Sequence, residues 1–355
     1  LKIIRRNQIA SGQPPRYTGI WSEATQEDVQ EELDKGNEPV YRFRIPKNSN
    51  IAFEDLVKGE QSFSTNDLDD FIVRKKDKTP TFMFANAIDD SLMDVDLVMR
   101  GDDHLSNTPR QIALLNGLNL TLPQYAHVSL FTGSDGAPLS KRNGSLSISD
   151  LRELGYLPIA VANYLSRVGH TIKDNELKNY KELGDSFETE NISSSPSKFD
   201  NDQLLFWQKK AIENLKIEEF IHWLSEPLKD LPPYIDKQEF VELIRENVNF
   251  PQEAGDYLVN IFFNPLDKKD DITEIIKSAG QEFYIKACDT LLSGLSGWNE
   301  ITQEIGKRSG KKGKELFMPL RAAITGQTKG PELDKVVEFL GTERVVERLK
   351  EASKL

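Results

Sequence analysis

Two polar stretches of the chain combine the side chains best suited to chemistry. The first, LVMRGDDHLSNTPRQ (97–111), places Arg100, Asp102, Asp103 and His104 directly after an apolar run. The second, SDGAPLSKRNGS (134–145), sets a Ser-Lys-Arg triplet in a loop rich in glycine and serine. A guanidinium can bind a carboxylate through two parallel hydrogen bonds, and a lysine loop of this kind suits a polyphosphate. The two stretches together indicate a site for an anionic substrate and a nucleotide.

The elements expected to hold these residues alternate between helix and strand. The pattern predicts, in chain order, helix Asn86–Met93, strand Asp96–Arg100, helix Thr108–Leu118 and strand His127–Phe131. Either Asn107 or Thr108 can cap the second helix, because Pro109 suits its first turn. Alternation of this kind implies a parallel sheet, and ligands bind at the carboxyl ends of parallel strands, where Arg100 falls.

The regions on either side of this block differ in character. Residues 1–80 read as mixed, with a polar helix over Thr25–Gly36 and short strands at Tyr41–Pro46, Ile51–Phe53, Gln61–Phe63 and Phe71–Val73. After Ser149 the pattern becomes helical, with a Ser-rich connector over 186–200 and almost no strand signal beyond it. The sequence therefore predicts an α/β part followed by an all-α part.

Composition narrows the class of protein. A chain of 355 residues is too long for one compact core, so two or more domains are expected. The single cysteine, Cys288, excludes an internal disulfide and a cysteine-cluster zinc site within these residues, which favours a reducing cytoplasm. No apolar run is long enough to span a membrane. The net charge of -12 argues weakly against nucleic-acid binding, although KRSGKKGK (307–314) is locally basic.

Taken one at a time, these features have ordinary explanations. On spacing alone, the arginine and aspartates after the strand are best read as an ion-paired turn, and a lone Ser-Lys-Arg triplet is weak evidence. The basic run is best read as a solvated loop. His127, His170 and His222 lack metal-like spacing and are expected to be structural or exposed, and Cys288 is expected to be a small buried side chain.

Longer sequence motifs favour a functional interpretation over these ordinary explanations. RGDDHLSNTPRQ, PTFMFANAIDD (80–90), PLSKRNGSLSI and MPLRAAITGQTKGPEL (318–333) together closely resemble the class I glutamyl-tRNA synthetases of bacteria, and the likeness runs from PPRY to the final GTERVVERL. The resemblance implies ATP-dependent formation of glutamyl-adenylate and transfer of the glutamyl group to the terminal ribose of tRNA-Glu. Whether tRNA-Gln is also charged stays open. The expected substrates are ATP with Mg²⁺ and glutamate, with no zinc and no membrane partner, in a cytoplasmic monomer.

The resemblance also implies a division into four regions. Residues 1–80 correspond to the connective insertion that binds the tRNA acceptor end, and 81–145 to the second half of a class I Rossmann domain carrying the lysine loop. Residues 146–200 correspond to a helical stem-contact region and connector, and 201–355 to a helical anticodon-binding domain.

Site residues carry over from the family by position. Ser140, Lys141 and Arg142 correspond to the signature loop, with Lys141 expected to stabilise the departing pyrophosphate, and Lys141 and His104 are expected to contact ATP. The residues expected to bind glutamate are Arg100, Asn86 and Phe82. The residues expected around the anticodon bases are Arg321, Gly330, Pro331 and Leu333.

The chain departs from the family pattern at named positions. Phe82 stands where tyrosine is usual, so one hydroxyl is lost, and Met83 stands where histidine is frequent. Pro138 replaces the first lysine of the signature loop, which would slow activation or make it more dependent on bound tRNA.

The family's first signature, His-Ile-Gly-His, is not found in these residues, so we expect a synthetase that begins partway in and does not form the adenylate as residues 1–355. The alternative is a non-catalytic tRNA-binding or regulatory protein derived from a synthetase. The helical tail argues against a glutaminyl-tRNA synthetase, which ends in β-barrels. The short glutamyl-queuosine synthetases have no anticodon domain.

Overall fold

The computed structural model describes residues 23–133, 147–263, 270–295 and 297–355, and the isolated positions 6, 8–12, 19, 21, 136, 137, 139 and 266. The chain forms two compact units. The first comprises Leu1–Ser145, Ser166–Asn175 and Glu182–Phe199, and the second comprises Leu146–Leu165, Glu176–Lys181 and Asp200–Leu355. All the strands described belong to the first unit, so the predicted class of α/β plus all-α is confirmed.

The first unit is built on a four-stranded sheet. In the order β3-β2-β6-β5, its strands are Gly59–Ser64, Asn50–Asp55, Gln124–Val128 and Leu97–Gly101. β2 and β3 form an antiparallel hairpin, whereas β6 runs parallel to both β2 and β5. The helix Thr108–Gly117 makes the crossover from β5 to β6, so the predicted parallel pair is confirmed.

Two smaller strand pairs complete this unit. β1 (Tyr41–Phe43) pairs antiparallel with β4 (Phe71–Arg74), and β7 (Phe131–Thr132) pairs parallel with β8 (Ser197–Lys198). The helices Phe82–Leu92 and Thr108–Gly117 pack together around a small apolar core of Ala87, Leu114 and Leu115, joined by partly buried side chains of β1 and β4. This core fixes the helix that carries Asn86 against the helix that carries Thr108.

Most predicted elements of the first unit are present, with shifted ends. The polar helix spans Gln26–Asp34 and begins with a capping box at Thr25, as the threonine predicted. The helix predicted from Asn86 begins earlier, at Phe82, because Thr81 already has the extended backbone of an N-cap. The strand predicted over His127–Phe131 is wrong in its bounds. β6 ends at Val128 because its hydrogen bonds to β5 run from Leu97 to Gly101.

The connector over 186–200 contains more structure than its composition predicts. A short 3-10 helix occupies Thr189–Asn191, and β8 follows at Ser197–Lys198. Ser-rich polar stretches are usually read as loops, but pairing with β7 gives this one backbone hydrogen bonds that its side chains do not reveal.

The regular secondary structure in the described residues of the second unit is helical. Its α-helices are Ile148–Leu154, Pro158–Leu165, Asn201–Asn214, Ile217–Trp223, Lys237–Ile244, Pro251–Leu258, Asp270–Ala279, Gln281–Leu291, Trp298–Ser309, Lys314–Thr325 and Leu333–Ala352. The short helix Tyr180–Asp185 begins in the second unit and ends in the first. A π-helix, Val259–Phe263, continues the helix that ends at Leu258. The apolar face of Leu333, Val336, Val337 and Leu340 predicts a helix that ends at Gly341. The structure shows a kink there instead: φ of Gly341 is 72°, and helix resumes on its far side.

The core of the second unit explains its remaining features. The last five of these helices bury a continuous apolar cluster that includes Tyr284, Leu320 and Leu349. Cys288 is buried in the same cluster, as expected for a small apolar side chain. No helix in the described part of the chain is both long and apolar enough to cross a lipid bilayer.

Candidate active site

Arg100 is the centre of a polar network at the carboxyl end of β5. Its Nε donates to Nε2 of His127 at 3.2 Å, and its Nη2 donates to Thr108 Oγ1 at 2.8 Å and to Gln111 Oε1 at 2.7 Å. Its Nη1 has a longer contact, 3.4 Å, to Asn86 Oδ1. Strand β5 and the crossover helix bring these groups together because both meet the same edge of the parallel sheet.

The charge on Arg100 has no direct counter-ion among the described residues. No described carboxylate lies within 4 Å of the guanidinium, and its hydrogen-bond partners are neutral side chains. Burial lowers the pKa of Arg100, but an arginine stays protonated in proteins. A half-buried guanidinium without a counter-ion can hold an anion strongly, because the neutral acceptors orient it without cancelling its charge.

Behind Arg100 lies a fully buried acid–imidazole pair, Asp55 and His127. Asp55 Oδ2 is 2.5 Å from His127 Nδ1, and both residues are at most 1% exposed. Asp55 Oδ1 accepts backbone N–H groups from Val57, Lys58 and His127. Burial alone would raise the pKa of the Asp55 carboxyl, but these hydrogen bonds outweigh it and the pKa is lowered. Asp55 is therefore a carboxylate.

A solvent-open aromatic pair lies one helical turn from Asn86. The Phe82 ring is 57% exposed and its centroid is 5.5 Å from that of His104. The amide nitrogen of Asn107 lies 3.0 Å from His104 Nδ1. Because an amide nitrogen can only donate, this contact places the His104 proton on Nε2. The two rings form an exposed platform against which a flat or apolar part of a ligand can pack.

Lys58 joins three segments of the first unit. Its Nζ donates to Asp102 Oδ2 at 3.0 Å, to Ser129 Oγ at 2.8 Å and to the backbone oxygen of Ser194 at 2.7 Å. Asp102 opens the 3-10 helix Asp102–Asn107, and Ser194 belongs to the connector. This one ammonium therefore ties the turn after Arg100 to the connector.

The predicted lysine loop lies outside the described residues at Ser140, Lys141, Arg142 and Pro138. Its flanks are described: Leu139 N donates to Phe131 O at 2.9 Å, and Gly133 N donates to Ala137 O at 2.8 Å. Leu139, the residue before the signature triplet, is therefore hydrogen-bonded to β7.

The predicted anticodon residues lie together in the second unit. Arg321 Nη1 donates to the backbone oxygen of Pro331 at 2.7 Å. Gly330 has φ +144°, and a Cβ there would lie 2.9 Å from the Tyr257 ring, so a larger residue does not fit. Leu333 is 7% exposed and packs in the helical core, so its side chain anchors the segment that carries Gly330 and Pro331 to that core.

The sequence predicts Arg100 and Asn86 as site residues but not most of the side chains that hold them in place. Thr108 was considered only as a helix cap, yet its hydroxyl bonds Arg100 and His127, and neither it nor Asn107 makes a side-chain cap. His127 was expected to be structural or exposed, and it is buried. A signal existed, since a histidine inside the apolar strand QYAHV needs a buried partner. Nothing in the sequence pointed to Asp55 as that partner.

No group of three or more His, Cys, Asp or Glu side chains in the described residues has an arrangement that could hold a metal ion.

Family models match almost the whole chain. Residues 1–206 match the catalytic domain of class I tRNA synthetases (E and Q), and residues 216–353 match an anticodon binding domain.

Individual relatives agree with these matches. The chain is 44% identical over 355 residues to glutamate–tRNA ligase 1 of Halorhodospira halophila, covering 100% of this chain and 74% of that protein. It is 41% identical to glutamate–tRNA ligase 2 of Nitrosococcus oceani, covering 99% of this chain and 74% of the relative. The crystal structure of a glutamate tRNA ligase from Elizabethkingia meningosepticum in complex with its amino acid superposes with a TM-score of 0.83. At 22% identity it covers 99% of this chain and 77% of that one, and it supports the fold.

Proposed function

The chain belongs to the glutamate–tRNA ligases of the class I tRNA synthetases, and we propose that its first unit binds glutamate through Arg100 during ATP-dependent activation. The observation that carries this proposal is the guanidinium itself. It is half-buried at the end of a parallel strand, held by neutral acceptors, with no carboxylate of the described chain within 4 Å. Such a group favours a substrate that brings a carboxylate of its own.

Asn86 and Phe82 complete the proposed glutamate site. Asn86 accepts from Arg100 and from Gln111 Nε2, so its orientation is fixed by the same network. Phe82 lies one turn earlier on the same helix face and offers an apolar wall for the methylene groups of the substrate. The exposed His104 beside it is proposed to contact ATP.

The lysine loop is proposed to serve the nucleotide. Ser140, Lys141 and Arg142 follow β7 closely in the chain, and β7 follows the strand that carries His127. Activation of glutamate builds negative charge on the departing pyrophosphate, and the ammonium of Lys141 would stabilise that charge. Mg²⁺ would enter with ATP.

Two surfaces are proposed to contact tRNA. In the first unit, a groove of about 700 Å³ is lined by Trp21, Tyr41, Arg42, Arg44 and Lys76, together with the carboxylates Glu32, Glu38 and Asp70. Aromatic rings beside cations suit an unpaired acceptor end, because bases stack and phosphates pair with the charges. In the second unit, Arg321, Gly330, Pro331 and Leu333 are proposed to form the anticodon site, with Arg321 stacking on or bonding to a base.

The four-region division of the sequence, a monomeric state and a cytoplasmic location are part of the same proposal. Discrimination between tRNA-Glu and tRNA-Gln is left to experiment.

The test is glutamate-dependent ATP–pyrophosphate exchange by the full-length enzyme, with and without tRNA, followed by charging of separate tRNA-Glu and tRNA-Gln transcripts. We expect glutamate-dependent exchange by the wild-type enzyme and a strong loss of it in Arg100→Ala, because the substrate carboxylate then has no partner. Undiminished exchange in Arg100→Ala would contradict the role of Arg100. Binding of tRNA without any exchange would instead favour a non-catalytic tRNA-binding protein.

A further inference from the structure

We propose that Asp55 and His127 are a positioning pair that aims Arg100 at the substrate by holding His127 in a single neutral tautomer. The inference rests on the proposed role of Arg100 in binding glutamate. Neither residue reaches the solvent, and both lie behind the guanidinium, so they act through Arg100 and do not touch the substrate.

The tautomer of His127 follows from Asp55 at one ring nitrogen and from Arg100 at the other, where Thr108 Oγ1 also lies 3.0 Å from Nε2 and can donate to it. At one end, Nδ1 lies 2.5 Å from the Asp55 carboxylate, which can only accept, so Nδ1 carries the proton. At the other end, Nε2 receives the Nε–H of Arg100 at 3.2 Å. An arginine can only donate, so Nε2 must present its lone pair. Both ends therefore require the neutral Nδ1–H form.

The carboxylate is itself held rigidly. Asp55 is the last residue of β2, and its Oδ1 accepts three backbone N–H groups, from Val57 at 3.0 Å, Lys58 at 2.9 Å and His127 at 3.1 Å. Two of these donors belong to the turn after β2, and the third to β6. The orientation of the pair is thus fixed by the backbone where β2 and β6 meet.

The hydrogen bonds of Arg100 occupy its N–H groups unequally. The guanidinium has five N–H bonds. His127 takes the one on Nε, while Thr108 and Gln111 take the two on Nη2 at 2.8 and 2.7 Å. Among the described residues, Nη1 has one hydrogen-bond contact, to Asn86 at 3.4 Å, which is longer than the usual N–H···O range. Nη1 is therefore the arm left to bind a carboxylate.

Loss of the carboxylate should reverse the tautomer. In Asp55→Asn the amide oxygen would keep the three backbone donors, so its NH₂ group would face Nδ1 of His127. His127 would then have to accept at Nδ1 and carry its proton on Nε2, directly opposite the Nε–H of Arg100. An Nε2–H could turn only to Thr108 Oγ1, 3.0 Å away, so the Nε–H of Arg100 would lose its acceptor and the guanidinium would shift, while the size and shape of the Asp55 side chain stay the same.

The first experiment is pyrophosphate exchange by the full-length enzyme with Asp55→Asn. We expect KM for glutamate to rise about 10-fold to 100-fold, the cost of misplacing a binding group, with KM for ATP changed less than about twofold. The matched control is Asp94→Asn, which removes one exposed charge from the same unit at a φ of 54° that asparagine tolerates. An unchanged KM for glutamate in Asp55→Asn, or a parallel rise in both KM values, would overturn the proposal.

A pair of substitutions at His127 separates positioning from general stability. His127→Gln can still offer an oxygen acceptor to Arg100, whereas His127→Leu offers none in a similar volume. We expect the glutamine variant to keep KM for glutamate within about tenfold of wild type and the leucine variant to exceed that, because a buried donor left unpaired is costly. Equal KM values in both folded variants would contradict the proposal.

The tautomer can also be read without any activity. In protein labelled with ¹⁵N at histidine, the imidazole nitrogens of His127 are assigned by their loss in His127→Gln. Wild type should show the Nδ1–H form and Asp55→Asn the Nε2–H form. An Nε2–H signal in wild type would overturn the inference even if glutamate exchange is normal. Absence of exchange in wild type, with the Nδ1–H form present, would count against the proposed function alone.

Discussion

Two arginines, one in each unit, show how the partners of a guanidinium determine its role. Arg100 in the first unit is half-buried and held by the side chains of His127, Thr108 and Gln111. Arg348 in the second unit is 2% exposed, and it donates to the backbone oxygens of Ile324 and Asn260. Burial lowers the pKa of both, so the direction of the pKa shift does not distinguish them.

The acceptors do distinguish them. Ile324 lies in the last turn of the helix Lys314–Thr325, where backbone carbonyls have no partner within the helix, and Asn260 lies in the π-helix. Arg348 donates to both backbone oxygens, and Glu351 at 3.6 Å offsets its charge. Arg100 instead donates to side chains and has no counter-ion among the described residues. Its Nη1 makes only the 3.4 Å contact to Asn86 among those residues. An arginine that satisfies backbone carbonyls is structural, whereas one aimed by side chains is available for a ligand.

The largest expected effect is that of Arg100→Ala. The substrate carboxylate loses its partner, so the activation free energy of pyrophosphate exchange should rise by about 2–5 kcal/mol. This corresponds to a fall in kcat/KM for glutamate of roughly 30-fold to several thousand-fold. The melting temperature and the affinity for tRNA should change little. Equal glutamate affinity in variant and wild type would place the carboxylate site elsewhere.

The corresponding prediction for the second unit concerns Arg348→Met. The apolar stem is kept, but the two carbonyls lose their donor, so the free energy of unfolding of the full-length enzyme should fall by about 2–4 kcal/mol in denaturant titrations. KM for glutamate should be unchanged. A normal unfolding midpoint combined with a raised KM would reverse the roles assigned to the two arginines.

Much of the fold could be predicted from the sequence, because its elements are encoded locally. Thr25 signalled a helix start, and the helix–strand–helix order around Arg100 predicted the parallel pair. The end of β6 could not be predicted, because it is set by pairing with β5 and not by hydrophobicity. The kink at Gly341 was read as an end, because a glycine reveals the break and not whether helix resumes.

The site was predictable only in part, for a related reason. Arg100 and Asn86 belong to words in which many positions match the glutamyl family together. Asp55 and His127 are 72 residues apart, and only the pairing of β2 with β6 brings them into contact. Burial of a polar pair leaves no periodic pattern in either strand, so it emerges only from the folded chain.

Arg321 tests the comparison because it combines features of both arginines. Like Arg348 it donates to a backbone oxygen, that of Pro331, and like Arg100 it is only half-buried. We expect Arg321→Ala to weaken binding of tRNA-Glu by about 1–3 kcal/mol or to relax its anticodon preference, with pyrophosphate exchange unaffected.

The matched control for Arg321 is Arg344→Ala, which removes an equal charge that already pairs with Glu347 in the same unit. If both variants lose the same affinity, the effect is general electrostatics. If Arg321→Ala loses stability but no affinity for tRNA, then the backbone acceptor decides its role and Arg321 is structural like Arg348.

The smallest expected effect is a gain, from Phe82→Tyr. Phe82 is on the open side of the Arg100 network, one turn before Asn86, and its ring is 57% exposed. A hydroxyl added there needs no desolvation, and it restores the group usual in the family. Glutamate binding should therefore strengthen by the value of one hydrogen bond, about 0.5–1.5 kcal/mol, which lowers KM for glutamate.

The control is the same change at Phe84, whose ring packs in the core of the first unit. It should give no such gain and should lower stability, because its hydroxyl would be buried. A lower KM only in Phe82→Tyr would locate the substrate on the open side of Arg100. Equal KM values in Phe82→Tyr and wild type would mean that the aromatic wall contacts glutamate by packing alone.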